Sequence, residues 1–138
     1  MDLGHAAADI NYLAVLVAAI SNFILGGLWY SKAFLGRPWM EASGMTEERA
    51  KAANMPRTFG VAFILELIAA LVLAMFIGAE SSLHVGALAG FHVGLFWVSG
   101  GFGVIYLFEQ RTLKLWLVNA GYMTVAFTIM GAILGAWS

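Results

Sequence analysis

Cysteine is absent from the 138 residues, which excludes disulfides, thiolate metal ligands and cysteine nucleophiles and leaves the redox state of the compartment open. Charge is scarce as well. Only 11% of residues are Asp, Glu, Lys or Arg and the formal net charge is -1, so no basic surface is available for nucleic acid. The amino-terminal end carries no basic n-region, so the first apolar run is expected to remain as a helix rather than be cleaved. The cations that do occur are confined: all seven Lys and Arg fall in two short segments, 32–57 and 111–114. What surrounds them is apolar, and 62% of the chain is hydrophobic.

Four stretches of that apolar sequence are nearly free of charge: 11–30, 59–79, 85–108 and 115–137. Each is long enough as a helix to cross a hydrocarbon core of about 30 Å at roughly 1.5 Å per residue. The sequence therefore predicts a single all-α domain, 1–138, built as an integral membrane four-helix bundle. With four spans, the two cation-bearing connections share one side, and the positive-inside rule makes that side cytoplasmic. Both termini are then expected outside, in a multi-pass protein of the cell (inner) membrane.

Between the first two spans lies the one sizeable polar segment. Phe34, Leu35 and Trp39 alternate there with Lys32 and Arg37, a mixture that suits the headgroup level. Thr46 is placed to cap a short surface helix running to Asn54, with Glu47 and Glu48 complementing its dipole. Pro56 follows where proline can open the next helix. On the outer side, Asp2, His5, Asp9, Glu80 and His84 read as solvated turn residues, because their spacing matches no metal-binding helix motif. No metal and no cofactor are expected.

Glu66 is the one carboxylate inside a span, about seven residues below the cytoplasmic boundary. An ionised carboxylate in hydrocarbon costs about 2.5 kcal/mol or more, so Glu66 must be neutral, paired or facing water. Ala62, Glu66, Ala70, Ala74 and Gly78 form one stripe at intervals of four, which lets another backbone come close. Asn22, Ser99, Asn119 and Tyr122 fall at similar depth and are expected to form a polar layer with Glu66. That layer reads either as helix glue or as a proton or cation site. His92, placed on a face with Ala89, Ser99 and Gly103, reads as the outer station of a proton path or as a packing residue.

Gly86, Gly90 and Gly94 recur at intervals of four on the other face of the third span, and Gly131 with Gly135 repeats the spacing in the fourth. Both are close-packing surfaces. With small residues on two faces, the third span is expected to touch protein on both, as the central helix or at a subunit contact. Trp29, Tyr30, Trp39, Trp116 and Trp137 sit near span ends and read as interfacial anchors. Glu66 before Gly78-Ala79 and Asn119 before Gly131-Ala132 share a twelve-residue spacing, a faint echo that suggests a parallel repeat.

The string Gly26-Gly27-Leu28-Trp29-Tyr30-Ser31, followed by Phe34, Gly36 and Trp39, resembles the opening motif of a bacterial membrane family, domain of unknown function 1761. Asn11-Tyr12 ahead of it fits the same family, as do Phe108-Glu109, Arg111, Leu115, Asn119, Gly121-Tyr122, Gly131 and Trp137. The resemblance implies a small multi-span membrane protein and supplies no activity. The family often carries a histidine after the Gly-Tyr pair where this chain has Met123, so no histidine chemistry carries over there.

No nucleophile with a base, metal motif or phosphate-binding loop occurs, so an enzyme is not expected. Two readings remain: a homo-oligomer moving protons, ions or a small solute with Glu66 as titrating site, and a structural or accessory protein packed against a membrane-protein partner or lipid.

Overall fold

The computed structural model of the protein describes residues 9–137 and is helical, with no strand among them. Helix α1 spans Tyr12–Trp29, opened by Asn11, whose side chain accepts from the Ala14 amide. Two short helices follow, α2 over Gly36–Ser43 and α3 over Glu47–Ala52. Helix α4 spans Met55–Ile77, α5 spans Leu83–Phe108 with a π-helical stretch over Val93–Val98, and α6 spans Leu113–Ala136. α1, α4, α5 and α6 are each long and apolar enough to cross a membrane.

The polar segment departs in detail from its sequence reading. Thr46 does cap α3, accepting from the Arg49 amide, but the helix stops at Ala52 rather than Asn54. Asn54 is needed elsewhere: it accepts from the Arg57 amide and starts α4 four residues ahead of the predicted boundary, with Pro56 in the first turn. One surface helix becomes two because Gly44 takes φ 77°, a left-handed cap that glycine adopts without strain.

Both hairpin ends are tied. At the cation-bearing end, Lys114 pairs with Glu41 at 2.8 Å and Arg111 donates to the Ser43 carbonyl at 3.2 Å, so the first and third connections lie together. At the far end, Asn11 donates to the Trp137 carbonyl at 3.1 Å. Asp2 and His5 lie outside the described residues.

The core is made of small residues where helices approach closely. Ala14, Ala18 and Val15 of α1 meet Ala70 and Leu73 of α4 and Met130 and Leu134 of α6. Large apolar side chains point outward instead, as Ile64, Leu65, Phe76 and Phe96 do. That inversion suits lipid, where packing and hydrogen bonds rather than water exclusion join helices.

The central helix is α6, not the third span. α6 touches α1, α2, α4 and α5, and it is the most buried of the four long helices. α5 packs chiefly on α6, makes a smaller contact with α4, and is otherwise largely open. The suggested repeat finds no structural counterpart either. Gly78 ends α4 at φ 84°, whereas Gly131 lies well inside α6.

The α5–α6 seam is glycine against glycine. A Cβ added at Gly86 would fall on the Gly131 carbonyl, one at Gly90 on the Phe127 carbonyl, and one at Gly135 on the Ser82 carbonyl. At Gly94 an added Cβ would stand 2.7 Å from the Met123 carbonyl.

Candidate functional site

The π-helical stretch decides what α5 offers to its neighbour. Ser99 sends both its amide and its hydroxyl to the Gly94 carbonyl, five residues back, the hydroxyl at 2.6 Å. One extra residue in that turn brings Ser99 onto the face of Gly86, Gly90 and Gly94, where it is fully buried and also donates to the Ala120 carbonyl at 3.3 Å. Gly103 follows on the same face, against Trp116. His92 is thereby separated from Ser99 and Gly103, with which uniform α periodicity had grouped it. It stands exposed, its Nδ1 2.7 Å from the Leu88 carbonyl and its ring edge-on to Phe91.

The expected polar layer resolves into three separate clusters. In the first, the Asn22 side-chain amide donates to Glu66 Oε2, joining α1 to α4, and the Tyr122 hydroxyl donates to the Asn22 backbone carbonyl at 3.0 Å. In the second, Tyr30 donates to Asn119 Oδ1 at 2.7 Å and Asn119 donates to the Tyr106 hydroxyl at 2.9 Å. The third is Ser99 with its two carbonyls. Asn119 and Ser99 are thus engaged away from Glu66.

Aromatic residues read as interfacial anchors supply much of this bonding. Trp29 donates to the Val118 carbonyl at 3.0 Å, and Trp116 to the Ser99 carbonyl at 2.8 Å. Tyr106 was not singled out from sequence at all. Its signal was its position in the turn before Arg111, where a hydroxyl can reach inward to the neighbouring helix start.

Beside the first cluster lies an open cleft of about 540 Å³ between α1 and α4, edged by Trp39 of α2. Phe23, Tyr30, Trp39, Phe59 and Tyr122 line it together with Glu66. The rings are mutually braced: Tyr30 and Tyr122 are 5.3 Å apart between centroids, Tyr30 and Trp39 5.7 Å, Phe23 and Phe59 6.2 Å. Glycines open the space. A Cβ at Gly27 would meet nothing within 4 Å, while one at Gly26 would sit 3.3 Å from the Tyr122 hydroxyl.

Why α2 stays beside the cleft is legible in its first turn. The Leu35 and Gly36 amides bond the Trp29 and Ser31 carbonyls at 3.0 and 2.8 Å, turning the chain so tightly that a Cβ at Gly36 would be 2.5 Å from the Tyr30 carbonyl. Lys114 then holds Glu41 from the far end of α2 and, chiefly through that hydrogen bond, keeps its carboxyl below the usual carboxylate range. Lys32 does the same to Glu47 on α3.

Glu66 itself is half-buried and has no basic partner among the described residues. Asn22 is buried at 1% exposure, and its side-chain oxygen receives no hydrogen bond among the described residues. An asparagine so placed can serve either state of its neighbour. Its NH₂ donates to a carboxylate, and after an amide flip its oxygen accepts from a carboxylic acid.

Four apolar helices, outward-facing large side chains and polar side chains hydrogen-bonded from helix to helix define a multi-pass helical membrane protein. Within that class, residues 13–135 match the family described as Protein of unknown function (DUF1761), and the chain belongs to it. Neither a curated protein nor a solved structure matches the chain.

Proposed function

We propose that the protein is a non-enzymatic, homo-oligomeric membrane protein that moves protons, ions or a small solute, with Glu66 as its titrating site. The observation that carries the reading is a membrane-level carboxylate, without a basic partner among the described residues, lining an aromatic cleft at the cation-bearing end. Such a group is costly when charged, by about 2.5 kcal/mol or more, unless a proton, a cation or water reaches it. Asn22 supports exchange rather than fixation, because it can bond both forms of Glu66. The cleft supplies the approach.

Homo-oligomerisation answers a gap within one copy. Beyond Glu66 the core closes with Ala14, Ala18, Ala70, Leu73 and Met130, so a path to the far end requires a second copy or a rearrangement. The open flank of α5 offers surface for that contact. By the positive-inside rule the cleft faces the cytoplasm of the inner membrane and both termini face out.

The accessory reading draws support from the Asn119 and Ser99 clusters, whose bonds run helix to helix and leave little to titrate. Glu66→Gln separates the two, since glutamine keeps size and hydrogen bonding but carries no charge. Reconstituted Glu66→Gln should fold as wild type and lose proton-linked flux across the vesicle. Wild-type flux in that variant would remove the proton site and leave the accessory role.

A further inference from the structure

The chemistry of the cleft narrows what accompanies the proton. Its wall is mostly rings and small residues, with the Thr58 hydroxyl beside them and Glu66 as the one acidic group among its lining residues. A small divalent ion finds no oxygen cage there, since calcium takes six to eight oxygen ligands and magnesium needs an octahedron. An anion meets a carboxylate. A neutral apolar molecule fits the rings but gains nothing from Glu66. An organic cation uses both, because ring faces attract a desolvated cation while the carboxylate neutralises it. Trp39, the strongest ring type for this contact, lines the cleft from α2. The volume of about 540 Å³ falls within the range of small-molecule sites.

We infer that the cleft between α1 and α4 binds a lipophilic organic cation, an amine or quaternary ammonium with an apolar body, in exchange for the proton on Glu66. The inference rests on the reading of Glu66 as an ionisable site. The carboxylic acid releases its proton to water as the cation arrives, and no covalent bond to the ligand forms or breaks. Asn22 stays on Glu66 Oε2 in the ligand-bound state and leaves the other carboxylate oxygen for the cation.

The test uses the full chain in phosphatidylcholine nanodiscs and two probes of one shape, phenyltrimethylammonium and neutral tert-butylbenzene, with empty nanodiscs as background. Phenyltrimethylammonium should bind saturably at neutral to alkaline pH, weaken progressively as acid protonates Glu66, and bind at least about tenfold more weakly to Glu66→Gln. Trp39→Leu should weaken it about fivefold. Gly27→Leu, whose Cβ meets nothing within 4 Å and whose side chain enters the cleft, should also weaken it while preserving thermal stability. Equal binding of tert-butylbenzene would make the occupant apolar, such as a lipid tail, and overturn the inference. Glu66 is followed separately, as the infrared carboxylate band missing from Glu66→Gln. If that band appears with rising pH but the cation does not bind, the ligand assignment fails and the titrating site stands. If the band never appears, both fail.

Discussion

Asn22 of α1 donates to Glu66 of α4, yet the oxygen of the same Asn22 amide is buried and receives no hydrogen bond among the described residues. A group placed only to join helices would cost less with an apolar side chain in its stead. The interhelical bond is worth about 0.6 to 2 kcal/mol, and the orphaned oxygen costs about 1 to 3 kcal/mol in desolvation.

Asn22→Leu removes the orphaned oxygen but also the hydrogen bond to Glu66, so the two effects offset and stability should stay within about 2 kcal/mol of wild type while the titration of Glu66 changes. Unfolding in bicelles checks the first part and the infrared carboxylate band the second. A loss well above 2 kcal/mol with unchanged titration would make Asn22 a packing residue.

Gly90→Leu should cost more than about 2 kcal/mol, because overpacking costs roughly 1 to 3 kcal/mol even where neighbours are side chains able to yield. Here the obstacle is the Phe127 carbonyl, which is backbone. Gly101→Leu is the matched control, since a Cβ there meets nothing within 4 Å. If detergent-solubilised Gly90→Leu keeps the wild-type mass and melting temperature, the α5–α6 seam is misdescribed.

Acid should loosen α2 from α6. Lys114 lowers the carboxyl of Glu41 in the folded state, so this pair stabilises docking fully above the ordinary carboxylate range and the contribution is lost as pH falls from that range through the lowered folded value. Both side chains are exposed, so the effect is small and weakens with salt. The protection of the Met40 to Ser43 amides, taken relative to their intrinsic exchange rate at each pH, should fall in acid, and Glu41→Gln should show the lower protection at every pH. Acid-independent protection in wild type would show that the Glu41–Lys114 pair is not what holds α2.

Cysteine placed at Glu80 should react with an impermeant thiol reagent on intact cells, and cysteine at Glu48 should be protected. The chain has no native cysteine to interfere. The reverse pattern would invert the assigned orientation.

The four spans and the chain's α-helical class were legible because each rests on local sequence: a span needs only some twenty apolar residues, and Thr46 caps its helix through the Arg49 amide three residues away. Glu66 was legible too, since a lone carboxylate in an apolar run stands out whatever surrounds it. Its partners were not. Four residues lay at one depth, but only the mutual rotation of the helices decided that Asn22 meets Glu66 while Asn119 turns to Tyr30 and Tyr106. Periodicity also failed over Val93–Val98, where a wider turn carries Ser99 onto the glycine face and leaves His92 outside. Depth along a helix follows from counting residues, whereas the direction a side chain faces depends on packing between segments distant in sequence; the aromatic cleft beside Glu66 exists only because α1, α2, α4 and α6 converge there.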